Sequence, residues 1–434
     1  MIPEKSLLSP SIELNTIRTD RFKTESLSVT VCLPLERAKA PLYSLVLSTL
    51  KRGTEKYPTQ GHINRRLDEL YAAGVSLRFD RVGNNYIFGF SAEMLDGSYT
   101  DGKTDIFEGT IDVILQMLFH PLTDEKGNLL SRFVEREKAI ACDLIESTVN
   151  NPKTYAGVRC REIMFEGDDY GTTLSETAEC IGSATAESLT ELYQTLVQDR
   201  KFNVFYIGSK CREDVGARIS RALAPYIGEP KPYVADTTGC IGTKSRRVDE
   251  KTDVSQGKLV IGMRTGITVR DADFYAMLVM SELYGGSPVS KLFMNVRERL
   301  GLCYYCSAVY EIYKGSMFVS CGVDPENRDK AEAEIFRQLD DIRAGKITDA
   351  EFKAAVKSLI NSYRALSDVP ANLESYYSGR DLFGISCTVA ECMDKIRSVT
   401  PADVVRVAQS VETDTVYFLW GDACGEEEDE EENE

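Results

Sequence analysis

Histidine is nearly absent: the chain of 434 residues has two, His62 and His120. Neither has a second histidine or a cysteine at ligand spacing, so a histidine-built metal site is excluded and both rings are expected to serve structure. The same scarcity removes the usual base for an activated serine. No run approaches the roughly 18 apolar residues of a membrane span. MIPEKSLLSPSIEL at the start lacks both a basic head and a continuous apolar core, so no signal peptide is expected. Positive charge is in deficit, with 51 Lys+Arg against 68 Asp+Glu and a formal net charge of −17. Phosphate binding needs a basic patch, which argues against nucleic acid or an acidic membrane surface as partner. Much of the acidity lies in residues 425–434, GEEEDEEENE, expected to be a solvated, disordered tail.

The 12 cysteines are scattered singly apart from Cys303 and Cys306. Without a secretory signal they read as reduced thiols of a cytoplasmic protein. On a β-strand, residues i and i+3 point to opposite faces, so Cys303-x-x-Cys306 is a poor zinc half-site or redox pair. No metal is expected in this chain.

What is present is 43% hydrophobic residues, ample for one large core or two ordinary ones. The order of elements repeats. SVTVCLPL reads as a strand, PLYSLVLSTLKRGT and QGHINRRLDELYAAG as helices, and VSLRFDRV with NYIFGFSAEM as a hairpin; more helices and the strand KFNVFYIGS follow. GKLVIGMRTG, DADFYAMLVMSELYGG, VSKLFMNVRERLG and a hairpin from Leu302 to Cys321 restate that plan in the second half. This is an α+β chain of two tandem homologous domains, each an antiparallel or mixed sheet with helices packed on one side. The expected ranges are 1–228, a polar linker over 229–250, and 251–424.

The stretch VSKLFMNVRERLGLCYYCSAVYEIYKGSMFVSCGV organises the second half. It reads as a helix that stops at Gly301 and feeds a hairpin that turns at Tyr-Lys-Gly. Arg297 and Tyr304 stand seven residues apart across that junction, a cation and a phenol placed to converge in front of the sheet.

Two tandem α+β domains, a Gly-Thr after the first helix, a Glu-Lys pair in a later helix and VRERLGLCYY together resemble the pitrilysin/insulinase-type metallopeptidases. The similarity is greatest to their short-chain branch, which includes the mitochondrial processing peptidases and bacterial relatives. Active members carry H-x-x-E-H ahead of the Gly-Thr. Counting back from Gly53-Thr54 puts those positions on Ser44, Leu47 and Ser48, and the remaining ligand, seven residues after Glu137, on Leu144. Two hydroxyls and two leucines hold no zinc and activate no water. The resemblance also implies that Arg297 and Tyr304 match the pair that grips the substrate backbone and stabilises the oxyanion. Arg offers a fixed fork of donors and Tyr one directed hydroxyl. The plainer alternative is a surface ion pair at Arg297 and packing at Tyr304. Tyr305 should point to the opposite face. GGSPVSKLF resembles the family's G-G-x-x-S-x-L-F: a helix N-terminus capped by Ser287 or Ser290, with Gly285 and Gly286 leaving backbone free to approach a peptide, or simply an interhelix turn.

By this resemblance the chain looks like the non-catalytic half of a heterodimer. It would bind no cofactor itself and would lend Arg297 and Tyr304 to a zinc-bearing paralogue acting on a peptide or protein substrate. The alternative is a scaffolding protein that keeps the fold without proteolysis.

Overall fold

The computed structural model describes residues 2–240 and 245–421. The tail over 425–434 and part of the polar linker lie outside those residues. Among the described residues, eleven strands form two mixed sheets. The first contains β1 (Glu4–Ser9), β2 (Ile12–Arg18), β3 (Thr24–Pro34), β4 (Gly74–Val82), β5 (Asn85–Leu95) and β6 (Phe202–Gly208), in the order β1-β2-β6-β3-β5-β4. The second contains β7 (Arg246–Lys251), β8 (Gly257–Arg264), β9 (Tyr305–Glu311), β10 (Ser316–Val323) and β11 (Glu412–Trp420), in the order β7-β11-β8-β10-β9. Aligning β8 on β3 makes the two orders identical apart from β1, with the single parallel pair in the same place: β2 with β6, and β7 with β11. The repeat read from the sequence is thus also a repeat of topology.

Most of these elements follow from local pattern. β3 alternates polar and apolar residues yet is almost wholly buried, as a central strand covered on both faces is. Helix Ala40–Leu50 starts with proline in its first turn, where no amide partner is lost, and buries Leu45, Val46, Leu47 and Leu50. The β4–β5 turn places Gly83 at φ 58°, the left-handed conformation that a tight hairpin requires.

The chain divides into two compact units, neither continuous in sequence. One comprises Met1–Ile145, Leu174–Thr238 and Ala365–Val389; the other comprises Glu146–Thr173, Gly239–Arg364 and Ala390–Glu434. Each unit therefore includes a segment from the other half of the chain. In the second unit, helix Pro152–Met164 covers the sheet: Gly262 has no side chain because Met164 Sδ would lie 2.8 Å from a Cβ there. In the first, helix Pro370–Leu382 brings Glu374 onto the sheet, where it accepts a hydrogen bond from Ser28 Oγ at 2.7 Å. The polar stretch 229–250 also ends in structure, because β7 begins at Arg246. Its alternation of exposed and half-buried residues, nearly all charged, suits an edge strand.

Candidate functional site

Helix Phe274–Ser281 runs without a break into a wide, π-helical turn, Glu282–Gly286, and a second such turn spans Phe293–Arg299. Turns of this kind are rare and recur at functional sites. Gly285 and Gly286 thus close a helix rather than open one. Gly285 is buried, and a Cβ there would lie 2.6 Å from both the backbone nitrogen and the Cβ of Ala308 on β9. Its lack of side chain serves close approach of helix to strand. Ser290 is also buried, and its hydroxyl accepts from the Phe293 amide at 3.4 Å, a cap as the sequence suggests. Of the three residues, only Gly286 offers exposed backbone.

The second π-helical turn ends at Gly301, whose φ of 60° reverses the chain. The Leu302 amide donates to the Val296 carbonyl at 3.1 Å and the Tyr304 amide to the Gly322 carbonyl at 2.9 Å, which docks the returning segment on β10. Tyr304 stands just ahead of β9 and is 64% exposed, unusual for a side chain so rich in apolar surface. Arg297 lies across the Gly301 turn with its side chain 41% exposed, 3.6 Å from the Glu298 carboxylate and 4.6 Å from the Phe293 ring. Tyr305 does turn the other way: its ring covers Gly322 and carries the Lys153 ammonium 4.3 Å from its centroid.

Between these residues lies a group the sequence reading set aside. The thiols of Cys303, Cys306 and Cys321 are buried, with all three Sγ atoms within 4.8 Å of one another. The opposite-face argument fails because Cys303 is not on a strand: β9 begins at Tyr305, and the turn at Gly301 carries Cys303 inward. Cys306 and Cys321 are paired residues of the β9–β10 ladder, so their side chains share one face. Hydrogen bonds from Cys306 and Cys321, then the nearby Arg297 charge, hold the Cys303 thiol well below its ordinary range. The same bonds push Cys306 and Cys321 up.

In the first unit, Ser44 and Ser48 share the half-exposed side of helix Ala40–Leu50, and Leu47 is fully buried. Leu144 is 68% exposed on helix Ser131–Val149. A zinc ion does not fit this set, since two hydroxyls and two hydrocarbon side chains provide no imidazole, thiolate or carboxylate. Glu137, beside which a ligand would be sought, forms a buried ion pair with Arg52. Arg52 in turn donates to Gln60 Oε1 at 2.8 Å. Both histidine rings have hydroxyl partners. His62 Nδ1 lies 2.8 Å from the Thr59 hydroxyl at a helix start, and His120 Nε2 lies 2.8 Å from the Tyr226 hydroxyl. No helix among the described residues is long and apolar enough to cross a membrane.

The family described as "Peptidase M16 inactive domain" matches residues 183–359. "Probable inactive metalloprotease YmfF" of Bacillus subtilis is 26% identical over 408 residues, covering 93% of this chain and 95% of that protein. "Probable mitochondrial-processing peptidase subunit alpha" of Schizosaccharomyces pombe is 23% identical, covering 93% and 83%. Among solved structures, a conserved protein from Enterococcus faecalis superposes with a TM-score of 0.90 at 25% identity, covering 98% of this chain and all of that one. A peptidase M16 inactive domain from Pseudomonas fluorescens gives 0.80 at 14% identity, covering 97% and 98%.

Fold, repeat and matches together make the chain similar to the pitrilysin/insulinase-type, M16-like peptidases. Within that likeness, both the matched family model and the B. subtilis relative are described as inactive, and the residues this chain places at the zinc-motif positions can hold no metal.

Proposed function

We propose that this chain is the non-catalytic, substrate-binding subunit of a heterodimeric zinc peptidase. It would lend Arg297 and Tyr304 to a zinc-bearing paralogue and hold no zinc at its own degenerate positions. The observation that carries this reading is the contrast between the two units. Ser44, Leu47, Ser48 and Leu144 can bind no metal, yet Tyr304 and Arg297, on either side of the Gly301 turn, are both kept accessible. The S. pombe relative, named as one subunit of a processing peptidase, supports a role in company.

The test mixes the purified chain with its zinc-bearing paralogue. A 1:1 complex that cleaves peptides, from a chain inert by itself, is expected. Arg297→Ala and Tyr304→Phe should each lower turnover of the complex by about 10²–10³-fold without dissociating it, the usual effect of losing one oxyanion donor. A second reading, a scaffold with no part in proteolysis, is favoured by the internal partners of Arg297, Glu298 and Phe293. Unchanged turnover in both variants would decide for the scaffold.

A further inference from the structure

We propose that Cys303, Cys306 and Cys321 together bind one thiophilic d10 metal ion, Cu(I) or Zn(II), beneath the start of the β9–β10 hairpin. Three observations converge on this cluster. The sulfurs come from three separate places: a loop, one strand and its ladder partner, so the fold rather than sequence proximity assembles them. All three residues are buried, which keeps competing water and oxidants away. Their separations, all within 4.8 Å, lie at most about 1 Å outside the ~3.8 Å that sulfurs adopt around an ion at metal–sulfur distances of ~2.3 Å. Small side-chain rotations close that gap.

Among the described residues no histidine or carboxylate joins the group. Tyr284, packed near Cys306, has its hydroxyl committed to the Ile335 carbonyl at 3.0 Å. A set of three thiolates with no fourth protein donor suits Cu(I), whose soft character matches thiolate sulfur. Zn(II) would need water in the fourth position, which only the side of Cys303, the most exposed of the three, can admit. On binding, each sulfur that still carries a proton releases it to solvent as its sulfur–metal bond forms, and nothing is oxidised or reduced. The complex is then anionic with either ion, and the Arg297 charge next to Cys303 offsets part of that. A loaded site would also fix the segment that carries Tyr304, since Cys303 is its immediate neighbour.

The experiment uses the full chain, purified anaerobically with a reductant and stripped by chelator; it needs no partner subunit, so its outcome is independent of the peptidase reading. One arm titrates Cu(I) against a competing chromophoric chelator. The other titrates Zn(II), with Co(II) as visible surrogate. One equivalent is expected to bind in one arm, with sulfur-to-metal charge-transfer absorption and three sulfur neighbours by X-ray absorption. Cys303→Ala and Cys303→Ser should weaken binding by about 100-fold or more, because loss of even an outer partner costs 10–100-fold. Cys142→Ala, away from the cluster, should leave binding unchanged. No stoichiometric ion in either arm, full binding in both Cys303 variants, fewer than three sulfur neighbours, or a disulfide among the three under these conditions would overturn the proposal. Should the variants fail to fold, the sulfur count in the wild-type chain decides.

Discussion

Arg52 follows the first long helix and forms a salt bridge with Glu137, which is 6% exposed. Removing one member of a buried pair leaves the other charged and unsolvated, at a cost of about 3–5 kcal/mol. Arg52→Ala is therefore expected to lower the urea midpoint sharply, while a control at Arg21, paired with Asp368 on the surface, changes it little. Glu374 provides a second test. Burial raises its carboxyl above the ordinary 4.5. The folded chain thus keeps a proton that the unfolded chain has released, so stability present below pH 4.5 falls as pH rises through the folded value. Glu374→Gln, neutral throughout, should flatten the stability–pH curve above pH 4.5; an unaltered slope would refute the assignment. At this scale the sequence was legible where a family motif could be laid on it. The resemblance, rather than spacing alone, points to Ser44, Leu47, Ser48 and Leu144 as degenerate zinc positions and to Arg297 and Tyr304 as an active-site pair. The cysteine cluster did not announce itself, because it depends on where β9 begins and on a cross-strand pairing 15 residues away. Its one available signal was a third cysteine on the predicted return strand.

Among the elements, the two π-helical turns and the β9–β10 hairpin form one packed group, and its tolerance is asymmetric. A methyl on Gly285 would strike the backbone of β9, whereas one on Gly286 would meet the end of the Glu282 side chain at 2.5 Å, which can swing aside. Gly285→Ala should destabilise by about 1–3 kcal/mol, the usual cost of overpacking, and Gly286→Ala far less. Equal thermal shifts in the two variants would show that the close approach to Ala308 does not matter. β3, by its alternation, and β5, β6, β8 and β10, by their apolar runs, were readable from the sequence. Four others were not. β1 and β7 are edge strands with charged, half-exposed sequences, EKSLLS and RRVDEK, whose pattern is that of a loop. β2 and β11 owe their places to pairing with distant partners, β2 with β6 and β11 with β7 and β8.

At the level of the molecule, the repeat was plain in the order of elements, but the reciprocal allotment of residues 146–173 and 365–389 was not. Helical periodicity says which face of Pro152–Met164 is apolar, not which sheet it covers. A consequence is measurable. Chain halves ending and starting near residue 240 should each lack one covering helix, bind a hydrophobic dye when expressed alone, and lose that binding when folded together. Two halves that are separately stable with cooperative transitions would contradict the allotment.

That arrangement also bears on descent. If the two repeats came from one shorter chain, that forebear would cover its sheet only as a pair of identical polypeptides, each handing a helix to its twin. Joining the copies end to end would then have turned a mutual loan between molecules into an internal one, leaving either copy free to shed its chemistry while remaining indispensable to the other's packing.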